Sequence, residues 1–186
     1  MCIKPHGLIR MVENILSVTR ISDGTMNVNK TSEAAEEIVA EAISRIRSRF
    51  PDRKITVKVP DALLMVPMDG TLIEQVLINL LDNAIKYSPD DSVIDVTVKK
   101  AGQEAVFEVI DNGEGIANDD LPYLFENYAL DDKRSPDSSR GLGIGLSICM
   151  SIIKAHRGGM EAVNRPEGGA IFRFMLPLGR EEQNAG

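Results

Sequence analysis

Residues 93–110 constrain the fold more than any other stretch. Val93 to Lys99 alternates Ile94, Val96 and Val98 with Asp95, Thr97 and Lys99, the period of a strand buried on one face. Ala105 to Ile110 is apolar throughout except at Glu108, and Gly102-Gln103 between the two runs predicts a hairpin. A sheet with one apolar face needs a second layer over it. Three stretches of helical period can supply that layer. Thr31-Ser32 reads as a cap for a helix running to about Arg49, with Ile38, Val39, Ala42, Ile43 and Ile46 on one side. A second helix starts at Asp69 or Thr71, where Thr71 and Glu74 have capping-box spacing, and runs through Asn83 to about Tyr87. A third runs from Leu146 to His156 and stops at Gly158-Gly159.

Further strands are expected at 25–30, Lys54 to Pro60, Leu63 to Val66, Met160 to Asn164 and Ala170 to Leu176, the last two joined by the Arg165 to Gly169 turn. A short helix is expected around Asp119 to Glu126. The pattern predicts an α/β, or α+β, two-layer sandwich with a mixed, mainly antiparallel sheet and three longer helices on one face. Residues 8–20 place Leu8, Val12, Ile15 and Thr19 at helical spacing, but such a helix has too little surface to be stable alone and points to a partner upstream. The domain reading is therefore 1–24 as a partial N-terminal helix, 25–178 as the folded unit and 179–186 as a tail. Residues 127–140, with Asp131, Asp132, Lys133, Arg134 and Asp137 among serines and Pro136, offer little to bury and read as a mobile loop.

The chain has 186 residues and a net charge of −7, which argues against non-specific nucleic-acid binding. The same charge repels phosphate, so any phosphate ligand needs local backbone N–H groups, a helix N-terminus, a few cations and a divalent metal. No apolar run is long enough to span a bilayer, so no membrane contact is expected of these residues. Cys2 and Cys149 lack metal-ligand spacing and read as reduced thiols of a cytoplasmic protein, Cys149 in the core.

Chemistry concentrates in three segments. Asn79 and Asn83 lie one turn apart on an otherwise apolar helix, with Lys86 and Tyr87 at its end. Carboxamide oxygens suit a hard cation among phosphates because they add no full negative charge; a cap or structural bridge would use the same residues. Asp111-x-Gly113-x-Gly115 follows a buried strand, where a carboxylate can accept a hydrogen bond from an exocyclic amine and glycines can lie flat against a ring. A tight turn without a ligand has the same wording. Gly141-Leu142-Gly143-Ile144-Gly145-Leu146-Ser147 opens a helix and offers unpaired N–H groups to phosphate, or else forms a hinge. Its spacing fits neither the P-loop nor the dinucleotide fingerprint.

In this order the segments resemble the N, G1, F and G2 boxes of the ATP-binding domain shared by histidine kinases, Hsp90 chaperones, DNA gyrase and MutL, a Bergerat-type fold. Asn79-Leu-Leu-Asp-Asn83-Ala-Ile-Lys86-Tyr87-Ser-Pro89, Leu124-Phe125-Glu126 and the final Gly168-Gly169-Ala170 strand ending in Leu176-Pro177 resemble the two-component sensor histidine kinases in particular. The wording from Asn164 to Pro177 is similar to the KdpD type, and Val12-Glu13-Asn14-Ile15-Leu16 resembles the second helix of the kinase dimerisation hairpin. The resemblance covers about residues 8–178.

This resemblance implies a protein-histidine kinase catalytic fragment that binds ATP and Mg²⁺. It would phosphorylate a histidine on a missing dimerisation domain, feed a response regulator, and form the cytoplasmic part of an inner-membrane sensor. It implies that Asn83 holds Mg²⁺ with Asn79 assisting, Lys86 meets the phosphates, Tyr87 lines the nucleotide site and Asp111 takes the adenine amine. Gly113 and Gly115 would shape that pocket, while Gly141, Leu142, Gly143, Gly145 and Leu146 would form the phosphate-facing hinge. Relatives carry an arginine shortly after the F box where this chain has Leu130-Asp131; Arg134, with Lys133 and Arg140, either replaces it or is a solvated loop charge. The gyrase and Hsp90 ATPases carry a general-base glutamate where this chain has Asn79, and an amide cannot act as that base. An anti-sigma serine kinase shares the boxes, but the helix at 8–20 disfavours it.

Overall fold

The computed structural model describes residues 28–125 and 143–179. The expected helix at 8–20, the 1–24 and 180–186 ends, the loop at 127–140 with Arg134, and Gly141 and Leu142 lie outside the described residues. In chain order the elements are β1 (Thr31–Ala34), α1 (Ala35–Arg49), β2 (Lys54–Lys58), β3 (Met65–Met68), α2 (Gly70–Tyr87), β4 (Val93–Ala101) and β5 (Glu104–Ile110). A single 3-10 turn at Leu121–Tyr123 is followed by α3 (Gly143–Ala155), β6 (Gly159–Asn164) and β7 (Ala170–Pro177).

Five strands form one sheet in the order β2-β4-β5-β7-β6, in which only the β2–β4 pair is parallel. The hairpin at 93–110 is at its centre. Its inward residues, Ile94, Val96, Val98, Ala105, Phe107 and Val109, are buried, as are Phe172, Phe174 and Leu176 of β7. Phe107 and Phe174 are register partners and stack with centroids 4.6 Å apart. Over this face lie the helices, with Ile38, Val39, Ala42, Ile43 and Ile46 of α1 all buried as their spacing predicts. Ion pairs join α1 to α2: Arg45 Nε lies 2.7 Å from the buried Glu74, outside hydrogen-bonding angle, and Arg49 Nη2 lies 3.0 Å from Asp82. Among the described residues no helix is long and apolar enough to cross a membrane.

Several boundaries differ from the sequence reading, each because of a distant partner. Thr31–Ala34 is a strand rather than a helix cap because it pairs antiparallel with β3, and α1 starts at Ala35 without a side-chain cap. The strand expected at Leu63 to Val66 is shifted to Met65–Met68 by the same pairing. Asp69, not Thr71, caps α2 by accepting from the Leu72 N–H, while Glu74 is drawn to Arg45. The helix expected at 119–126 is reduced, within the described residues, to the turn at Leu121–Tyr123.

Candidate active site

Three contacts set the arrangement of α2 and α3. Near its start, α2 touches the end of α3, where the Asp69 N–H donates to His156 Nε2 at 3.0 Å. In the middle, Asn79 Nδ2 lies 3.7 Å from Cys149 Sγ, and that sulfur is 4.0 Å from the Val76 carbonyl. The helices are therefore antiparallel, and their register brings Asn83 alongside the first turn of α3, which begins at Gly143. Among the described residues an added Cβ at Gly145 would meet nothing within 4 Å, whereas Leu146 beside it is fully buried. The four N-terminal N–H groups of a helix lack intrahelical partners, so this turn presents donors and the positive end of a dipole.

Asn79 and Asn83 share a helix side but not an environment. Asn79 is 6% exposed, within the α2–α3 interface; Asn83 is half-buried nearer the open end. Burial pushes the Cys149 thiol up to about 12, so it packs as a small hydrophobe. Lys86 and Tyr87 are exposed at the end of α2, with Lys86 Nζ 4.8 Å from the Tyr87 ring centre.

That end is held by Arg53, a residue the sequence reading passed over. It is 9% exposed and donates to the carbonyls of Ile85, Ser88 and Pro89 and to Ser88 Oγ, at 2.6 to 3.3 Å. A helix leaves its last four carbonyls without intrahelical donors; Arg53 supplies Ile85, and the Ser88 hydroxyl supplies Ala84. The C-terminal residue of α2 then abuts the loop after β5, because a Cβ at Gly113 would collide with the Tyr87 carbonyl oxygen.

Asp111 stands where β5 ends. It is 4% exposed, and its Oδ1 accepts from the N–H groups of Gly113 at 2.8 Å and Ala170 at 3.2 Å. Among the described residues Oδ2 receives no such bond, which leaves an acceptor for a ligand. Burial raises the Asp111 carboxyl above the usual range, opposed by those two bonds and by the charge of Arg165. Gly115 adopts φ +82°, a left-handed conformation that carries the loop around the carboxylate. A separate groove of about 440 Å³, lined by Val39, Ile43, Val57 and Val59 among others, lies between α1 and β2, apart from these residues.

Residues 68–180 match the family described as histidine kinase-, DNA gyrase B- and HSP90-like ATPases. The chain belongs to this family. Among relatives of this ATPase domain, the Sensor protein KdpD of Clostridium acetobutylicum is 49% identical over 170 residues, covering 91% of this chain and 19% of that protein. The Sensor protein KdpD of Escherichia coli strain K12 is 37% identical over 177 residues, covering 94% and 20% respectively. The chain thus spans about a fifth of the length of these curated relatives. Among solved structures, the catalytic domain of histidine kinase ThkA superposes with a TM-score of 0.69 at 26% identity, covering 81% of this chain and 96% of that one. Full-length ShkA, at 22% identity and TM-score 0.79, shares the fold. The ATPase domain here is thus of the histidine kinase catalytic type, with the sandwich that the sequence pattern predicts.

At the end of a helix running from Leu146 to His156, the sequence alone suggests a histidine favoured by the negative end of the dipole, and the fold places it otherwise. A helix-end histidine favoured by the dipole would be charged. Here it is fully buried, with Nε2 accepting from Asp69 and Nδ1 donating to the Ile152 carbonyl at 2.8 Å, so the ring is neutral. Burial lowers its pKa, with Lys30 adding to the effect and the Ile152 carbonyl and Asp69 opposing it.

Proposed function

We propose that this domain binds ATP with Mg²⁺ and supplies the γ-phosphoryl group to a histidine on the dimerisation hairpin of a KdpD-type inner-membrane sensor, from which a response regulator would take it. The observation that carries the reading is the buried Asp111 carboxylate, which among the described residues is anchored through Oδ1 alone. Its free oxygen would accept the adenine N6 amine, with Gly113 and Gly115 shaping the pocket and Tyr87 flanking it. Gly141, Leu142, Gly143, Gly145 and Leu146 would present the α3 N-terminus to the phosphates, with Lys86 and Arg134 as cations.

Among the described residues no cluster of three His, Cys, Asp or Glu side chains could hold a metal. A cation bound mainly by phosphate oxygens needs few protein ligands, and the half-buried Asn83 amide supplies a neutral hard donor of the right kind. Asn79, deeper and facing Cys149, would act by holding α2 against α3 and so placing Asn83. The metal would neutralise phosphate charge; these residues contribute positioning, which dominates phosphoryl transfer. Calorimetry with ATP, ADP and GTP, with and without Mg²⁺, tests the reading. ATP should bind more tightly than GTP by about 1 to 3 kcal/mol, the cost of leaving the carboxylate unpaired. Equal affinities would sink the Asp111 assignment.

A further inference from the structure

Loop 111–116 is gripped from outside by the turn between β6 and β7. Arg165 Nη1 donates to the Asp111 main-chain carbonyl at 3.1 Å and to Asn112 Oδ1 at 2.5 Å. The Asn164 side chain pairs with both main-chain groups of Ile116, Oδ1 accepting from its N–H and Nδ2 donating to its carbonyl, each at 2.7 Å. The turn closes on itself as the Arg165 N–H donates to the Gly169 carbonyl at 3.0 Å. It seats so closely that a Cβ at Gly169 would collide with the Asp111 carbonyl oxygen. The Ala170 N–H that anchors Asp111 Oδ1 follows directly. Three successive parts of the loop, Asp111, Asn112 and Ile116, are thus fixed by two side chains some fifty residues away in sequence.

We infer that Arg165 and Asn164 are positioning residues for base recognition, a bracket that holds the Asp111 carboxylate at the angle from which it distinguishes a 6-amino from a 6-keto purine. This rests on the adenine reading proposed above. Neither side chain need touch the nucleotide. Their effect passes through the loop: without Arg165 the Asp111 carbonyl loses a charged donor, and without Asn164 the loop loses both bonds at its far end. Hydrogen bonds are steeply sensitive to angle. A loosened carboxylate therefore loses its preference for the amine before the phosphate contacts, on other elements, are affected.

ATP and inosine triphosphate, which differ at the 6-position, make the test. Calorimetric affinities for both are measured on the whole 186-residue chain as wild type, Arg165→Ala, Arg165→Lys, Asn164→Ala and Asp111→Asn. The inference expects the ATP preference to fall by about tenfold in Arg165→Ala, the size of one lost charge-assisted hydrogen bond. Inosine triphosphate affinity should stay near wild type, and Arg165→Lys, which keeps the charge and can reach one acceptor, should be intermediate. Should Arg165→Ala not fold, Asn164→Ala carries the same expectation. An unchanged ratio in both alanine variants, or a parallel loss for both nucleotides, overturns the bracket. If Asp111→Asn abolishes the preference while the alanine variants keep it, only the bracket fails; if Asp111→Asn keeps the preference, the adenine reading itself fails.

Discussion

Asp111 carries opposed demands that a single substitution separates. Its carboxyl is raised by burial, so the folded value exceeds the unfolded one. The stabilising contribution of such a group is complete below the unfolded value, about pH 4, and is lost as pH rises through the folded value. As the pH rises, the nucleotide-free domain therefore ionises this carboxyl only at a cost in stability. Asparagine keeps an acceptor for the Gly113 and Ala170 N–H groups but turns an N–H₂ toward the ligand's own amine. The expected outcome for Asp111→Asn is a melting temperature at neutral pH equal to or above wild type, with ATP affinity weakened by about tenfold or more. A large drop in melting temperature would mean that the carboxylate is structural rather than reserved for ligand. The motif Asp111-x-Gly113-x-Gly115 was legible from sequence because its residues are neighbours. Arg165 and Asn164 were not, since a polar turn between strands has the same composition whether or not it clasps a loop.

Among the elements, α2 depends most on a partner from elsewhere. Arg53 comes from the turn before β2, yet satisfies carbonyls at and just after the α2 C-terminus. Arg53→Ala should take the donor from the Ile85 and Ser88 carbonyls, while Pro89 keeps Ser92, and cost about 2 kcal/mol of stability, measurable by urea denaturation. Because the same stretch abuts Gly113, nucleotide affinity should fall with it; a variant of wild-type stability would show that water replaces the guanidinium. Local periodicity located α1, α2 and the 93–110 hairpin because the apolar positions of each element report its own geometry. The errors fell where a second element decides the outcome. Thr31-Ser32 has the chemistry of a cap, but β3 recruits it into a strand. Thr71 and Glu74 have capping-box spacing, but Asp69 takes the cap and Arg45 takes the carboxylate.

At the scale of the whole molecule, the described residues hold one histidine, and its position determines what the domain can do alone. His156 lies at the end of α3 away from the glycines, about 16 Å along the axis from Gly145 at 1.5 Å per residue. It is fully buried, and both ring nitrogens are committed, one to the Ile152 carbonyl and the other to the Asp69 N–H, 87 positions away in sequence. In-line transfer needs reacting atoms about 3 to 3.5 Å apart, and a nitrogen that already accepts a hydrogen bond inside the core has no lone pair to offer. His6, the other histidine of the chain, lies outside the described residues, beside Pro5 and Gly7. The domain is therefore expected to bind ATP and leave itself unphosphorylated. Incubation with γ-labelled ATP and Mg²⁺ should leave the chain unlabelled, and adding a sensor kinase dimerisation hairpin as a separate polypeptide should place acid-labile label on the hairpin. Stoichiometric acid-labile label on the chain alone, lost in His156→Gln or His6→Gln, would show that the acceptor lies within these residues.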